Sequence, residues 1–171
     1  EPYSNLDRQH TQVIKAVLKD LVEHWKISCI MVSHDAEDLL AWADRVLVMR
    51  EGRIIQDGNP ETIYRQPQDL YTASLLGDVN VLEPSLAGLL LAGYEVLPDQ
   101  KWMLRPEQIG INETFSSGVN AIVREVHFCG SHYLLKLECM GQLLLVSHSV
   151  SFAVGEGVTI SLFQGNPCLL T

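Results

Sequence analysis

The chain has 171 residues, 47% of them hydrophobic, and 12 Lys and Arg against 21 Asp and Glu give a formal net charge of -9. The apolar share supports a buried core and excludes general disorder. The acidic balance, with no cluster of Lys and Arg, argues against nucleic acid and against an anionic bilayer surface as partners.

The longest apolar stretch, LAGLLLAG at 86–93, falls short of the roughly 20 residues that span a bilayer. Cys29, Cys129, Cys139 and Cys168 form no Cys-x-x-Cys pair, so neither a zinc ribbon nor a disulfide framework is expected. A reduced, cytoplasmic setting fits this usage. The chain opens at Glu1, without Met or a signal-peptide pattern, and the expectation is a fragment of a longer protein.

Residues 1–78 read as alternating helix and strand. After Asp7, Val13, Ile14, Val17, Leu18, Leu21, Val22 and Trp25 recur at steps of three and four, the stripe of an amphipathic helix. Asp7 or a neighbour can cap it. The run ISCIMVS at 27–33 is continuously apolar, the pattern of a strand covered on both faces. DAEDLLAWA at 35–43 follows as an acid-led helix. VLVMR and RIIQDG flank Glu51-Gly52 as a tight hairpin. Asn59 caps the next helix with Pro60 at its first position, Gln66-Pro67 ends it, and 69–76 forms one more short helix.

From about residue 79 helical periodicity fades, apart from a short buried helix within 85–92. KWMLRP, VNAIVREVHF, HYLLKLEC, QLLLVSHS and VTISLF read as strands between Gly-containing turns, which predicts a small β-barrel or sandwich. Tyr64, Trp25 and Trp42 read as packing residues. His127, Cys129, His132, Cys139 and His148 lie close in sequence, but their spacing matches no standard zinc pattern, and dispersed positions are expected. With only Lys101, Arg105, Arg124 and Lys136 basic after residue 79, an oligonucleotide groove is not expected in the barrel.

Four features stand in fixed order: Glu1-Pro2, then Ser4-Asn5-Leu6-Asp7, then Ser33-His34-Asp35, then Met49-x-x-Gly52-Arg53. Each alone is weak; a Ser-His-Asp tripeptide before a helix is also what a cap and a polar turn look like. Together, EPYSNLD and IMVSHDAEDLLAWADRVLVMREGRIIQDGNPETIYRQP resemble the distal half of the ATP-binding cassette of bacterial ABC transporters, across essentially all of residues 1–78. That resemblance implies catalytic roles for Glu1, which polarises the attacking water, and for His34, the switch histidine at the γ-phosphate. It implies a dimer-interface D-loop at Ser4, Asn5, Leu6 and Asp7, with Asn5 where Ala is commoner. Asp35 is expected to cap the helix and orient the switch loop.

Arg105-Pro106-Glu107 and REVHFCGSHYLLKLEC are similar to the segments after the cassette in importers with a C-terminal TOBE domain, an OB-like β-barrel. The fold class implied is α/β: the distal part of an ATP-binding-cassette (P-loop NTPase) domain at 1–78, then an OB-like TOBE-type domain at 79–171. Importers of this class move ferric iron, polyamines, sulfate or sugars, and the shortness of the C-terminal region points first to ferric iron. The parent protein would use ATP and Mg²⁺, pair as a homodimer, and engage membrane permease subunits and, indirectly, a solute-binding protein. It would lie peripherally on the cytoplasmic face of the inner membrane. The 12 glycines include no G-x-x-x-x-G-K-[ST] loop, and the Walker B aspartate and LSGGQ-type signature are also absent. The chain by itself is therefore expected to bind no cofactor or metal and to hydrolyse no ATP. It is also expected to self-associate through its first half, where neighbouring strands are missing. The rival reading is a non-enzymatic regulatory or solute-sensing module.

Overall fold

A computed structural model describes residues 8–112, 118–163 and 165–170. The chain divides into two compact units, 1–43 and 44–171.

In the first unit, α1 (Arg8–Trp25) forms where the apolar stripe predicts it, and α2 (Ala36–Trp42) follows the Ser-His-Asp segment. Lys15 of α1 pairs with Asp38 of α2 and lies 5.6 Å over the Trp42 ring. The stripe itself is largely uncovered, with Val13, Val17 and Trp25 at 62%, 54% and 73% exposure. Trp25 and Trp42, read as core or interdomain packing residues, are 73% and 45% exposed, so neither lies in a core. The strand expected at 27–33 is likewise not formed: residues 26–33 have neither helix nor strand, and Ile30 is 94% exposed. A strand covered on both faces exists only with neighbours that take its N–H and C=O groups. Among the described residues no strand pairs with this run.

The second unit opens with the expected hairpin, β1 (Val46–Arg50) and β2 (Arg53–Gly58). Glu51 and Gly52 turn it with φ of 51° and 76°, the left-handed pair that a two-residue turn of this hand needs. Next come α3 (Pro60–Arg65) and α4 (Leu70–Leu75). Asn59 Oδ1 accepts from Thr62 N–H and Asp69 Oδ1 from Thr72 N–H, each at 2.8 Å, so both helices start on side-chain caps. β3 (Asn80–Leu82) and α5 (Pro84–Leu90) follow, then β4 (Lys101–Leu104), a 3-10 turn at Pro106–Gln108, and β5 (Ile109–Ile111). The remaining strands are β6 (Val119–Phe128), β7 (Tyr133–Cys139), β8 (Gln142–His148), β9 (Gly157–Leu162) and β10 (Cys168–Leu170).

Two antiparallel sheets organise these strands, one in the order β10-β4-β3 and one in the order β5-β9-β6-β7-β8. The five-stranded sheet curls so that its outer strands β5 and β8 approach each other without sharing a ladder. The result is a half-barrel. Period-two alternation on β7 sends Leu135, Leu137 and Cys139 inward, where they meet Val123, Leu144, Val146 and Ile160. One apolar cluster fills the half-barrel, beginning in the chain at Leu82 and including α5 through Leu86, Ala87 and Leu90. Side-chain amides attach β3 to β8 where no ladder does: Asn80 donates to Leu145 O and accepts from Leu145 N–H, both at 2.7 Å.

Candidate functional site

Glu1, Ser4, Asn5, Leu6 and Asp7 lie outside the described residues. His34 is described. It sits exposed in the segment between α1 and α2, directly before a helix start. Ser33 Oγ accepts from Asp35 N–H at 3.0 Å, and Asp35 O accepts the first helical bond, from Leu39 N–H at 3.3 Å. Asp35 therefore occupies the cap position of α2, and the Ser33–Asp35 hydrogen bond spans the bend at His34.

No G-x-x-x-x-G-K-[ST] sequence occurs among the described residues. A triphosphate needs successive backbone amides at a helix start and a lysine beside them. The left-handed glycines here, among them Gly52, Gly130, Gly141 and Gly155, lie in turns leading into or out of strands. Among the described residues no group of three or more His, Cys, Asp or Glu side chains converges as a cation would require. The histidine and cysteine positions of the second half are dispersed: Cys139 is buried in the half-barrel, and His127 is exposed, 3.2 Å from Glu125. His148 stacks edge-on against Phe152.

The strongest polar convergence lies elsewhere, around Arg105. This arginine ends the run KWMLRP and is 2% exposed. Its Nη1 donates to the carbonyls of Ala73, Gly77 and Asp78, each at 3.0 Å, and its Nη2 to Tyr64 O at 3.2 Å. The guanidinium also lies over the Tyr64 ring, 4.1 Å from its centre. Tyr64 OH donates to Glu107 Oε1 at 2.8 Å, and Gln108 Oε1 accepts from Arg105 N–H at 2.7 Å. Burial and the bond to Glu107 push the Tyr64 phenol up to about 12. Burial draws the Arg105 guanidinium down from its ordinary value, against the nearby acidic groups that raise it. A fork of coplanar donors is what allows one side chain to serve four carbonyls at once.

Part of this cluster was legible in the sequence. The Arg105-Pro106-Glu107 segment stands out there, whereas Tyr64 reads only as a packing residue.

Comparison with known proteins covers both units. Over 178 residues the chain is 33% identical to the spermidine/putrescine import ATP-binding protein PotA of Mesoplasma florum, spanning 94% of this chain and 50% of that protein. It is 36% identical over 144 residues to the Fe(3+) ions import ATP-binding protein FbpC 2 of Rhodococcus jostii, spanning 79% of this chain and 41% of that one. The FbpC 2 protein of Pectobacterium atrosepticum shares 33% identity across 95% of this chain and 52% of its own length. Residues 102–166 match the TOBE domain family. The chain thus carries a TOBE-type domain and is homologous to part of proteins named as import ATP-binding subunits. It spans about half the length of these relatives. The TOBE match takes in Arg105, Glu107 and Gln108 together with the half-barrel strands β5 to β9. Among the described residues no helix is long and apolar enough to cross a membrane.

Proposed function

We propose that this chain is the distal part of the ATP-hydrolysing subunit of an importer, coupling ATP binding and hydrolysis to solute uptake. One observation carries the reading: relatives with import ATP-binding names align across both the His34 unit and the TOBE region, over 94–95% of the chain. The order of Glu1, Ser4–Asp7 and His34 supports it from within the sequence.

On this reading Glu1 and His34 serve the nucleotide, while Ser4, Asn5, Leu6 and Asp7 face a second copy. ATP and Mg²⁺ are held mainly by residues beyond this chain, because its sequence carries no G-x-x-x-x-G-K-[ST] loop. The subunit works as a peripheral homodimer on the cytoplasmic face of the membrane, against permease subunits fed by a solute-binding protein. Residues 1–78 belong to the cassette and 79–171 to the accessory domain, a division supported by the start of the half-barrel cluster at Leu82. An OB-like relationship for that domain is supported by its partly open, five-stranded antiparallel curl. Polyamines and ferric iron are the cargo classes that the relatives' names support.

The test has two arms. The purified chain should turn over no ATP above a mock preparation, and turnover would overturn the assignment of the phosphate cradle to residues elsewhere. The gene sequence upstream of Glu1 should encode a G-x-x-x-x-G-K-[ST] loop and an LSGGQ-like motif. Their absence would overturn the importer reading.

A further inference from the structure

The apolar cluster of the half-barrel begins at Leu82 and includes nothing from residues 60–78. Ile63, Ala73 and Leu76 are nonetheless buried, at 0%, 0% and 4% exposure, beside the helices that carry them. The described hydrogen bonds that cross from this segment to the barrel side are few and specific. Arg105 supplies four of them, Tyr64 OH to Glu107 a fifth, and Cys168 Sγ to Pro67 O, at 3.7 Å, a weak sixth.

The base of Arg105 is fixed on the barrel side. Its backbone lies between Leu104 and the turn into Ile109, both in the cluster, and its N–H is held by Gln108. Its tip is fixed on the other side, among carbonyls at the end of α3, within α4 and just after α4. A cation suits the C-terminal end of a helix, where unpaired carbonyls concentrate. Because the four acceptors come from three separate turns of chain, the guanidinium can hold all of them only while α3, α4 and the 77–78 turn keep one arrangement. Sliding α4 by an ångström or two would part the buried Ala73 carbonyl from the buried guanidinium and leave an Arg105 N–H without that partner, which is costly.

We propose that Arg105 is the pin that makes residues 60–78 and the TOBE half-barrel one rigid body, so that a displacement of α3 and α4 is carried into the half-barrel instead of being absorbed at the junction. Arg105 acts here as a positioning residue. The inference concerns contacts within this chain and does not rest on the importer reading.

Spin labels introduced at Glu61 on α3 and at Ser131 in the β6–β7 turn, both exposed, report the distance across the junction. Incorporation of labelled unnatural amino acids leaves the four cysteines in place. The unmodified junction should give one narrow distance distribution. Arg105→Gln should broaden it severalfold or split it, with far-ultraviolet circular dichroism unchanged. Tyr64→Phe, which keeps the ring and the backbone carbonyl, should leave it narrow. A folded Arg105→Gln protein with an unbroadened distribution would overturn the proposal. If Arg105→Gln does not fold, hydrogen exchange on the unsubstituted chain decides. Amides of α3 and α4 should open together with those of β6 and β7, and exchange more than about 100-fold faster in α3 and α4 would overturn the pin.

Discussion

Tyr64→Phe tests the energetics of the Arg105 cluster through pH. In the folded chain the Tyr64 phenol donates to Glu107 at 2.8 Å and is half-buried, and its pKa rises from 10.0 to about 12. The cause is first burial, then the bond to Glu107. The folded state therefore holds the phenolic proton more tightly than the unfolded state does. The associated stability is fully present below pH 10 and is lost as pH rises through about 12. A rise of about two pH units at ~1.36 kcal/mol each sets a ceiling near 2.7 kcal/mol. Solvent screening of a half-exposed ring reduces this to about 1–2 kcal/mol. Urea unfolding of the parent and of Tyr64→Phe, from pH 8 to the highest pH at which unfolding stays reversible, measures the difference. At pH 8 the variant should lose about 0.5–1.5 kcal/mol, one hydrogen bond's net worth. Above pH 10 the two curves should converge, because only the parent carries the titration. Parallel curves above pH 10 would show that Tyr64 ionises alike in both states, and the described packing around it would be wrong.

Leu137→Ala empties a position of 0% exposure at the centre of the half-barrel and should cost about 2–5 kcal/mol, read from the denaturant midpoint. Asp69→Ala removes the cap on Thr72 N–H and should cost about 0.5–2 kcal/mol at neutral pH. The Asp69 carboxyl is held below its ordinary value first by that backbone bond, so the stabilisation is present above the ordinary carboxylate range and fades as pH falls through the lowered folded value. Acid titration of stability should be correspondingly flatter in Asp69→Asn. Gly141→Ala forces an L side chain to φ +80° in the β7–β8 turn and should cost about 1 kcal/mol, again by denaturant midpoint. The uncovered stripe of α1 should drive self-association, and Val17→Glu should weaken it in solution scattering; a monomeric parent chain at moderate concentration would refute this.

What the sequence made legible is what its residues decide locally. Glu51-Gly52, Asn59-Pro60 and Asp69 each carry their conformation in their own side chains or backbone freedom, and each element forms where they place it. The long strands β6, β7 and β8 were legible for a related reason. Seven to ten residues with inward positions at every second place leave few other ways to bury the apolar set. The three-residue strands β3, β5 and β10 were not, because three residues show no period. Their extended form is set by partners distant in the chain, as with Cys168 against Met103.

The same division separates the two parts of the candidate site. The bend at His34 is written into Ser33 and Asp35, so a motif of three residues could mark it. The run at 27–33 failed for the opposite reason. Its uniform apolarity states that it wants cover on both faces but cannot supply that cover, and the described residues contain no strand that does. Arg105 lies between these cases. Its segment stands out in the sequence by resemblance, yet its acceptors are backbone carbonyls, and a carbonyl carries no residue identity. Any sequence from α3 to the turn at 77–78 that folds the same way offers the same four oxygens. A buried arginine answered by main chain is thus visible from one side only, and it took the fold to show that it joins the helix pair to the half-barrel.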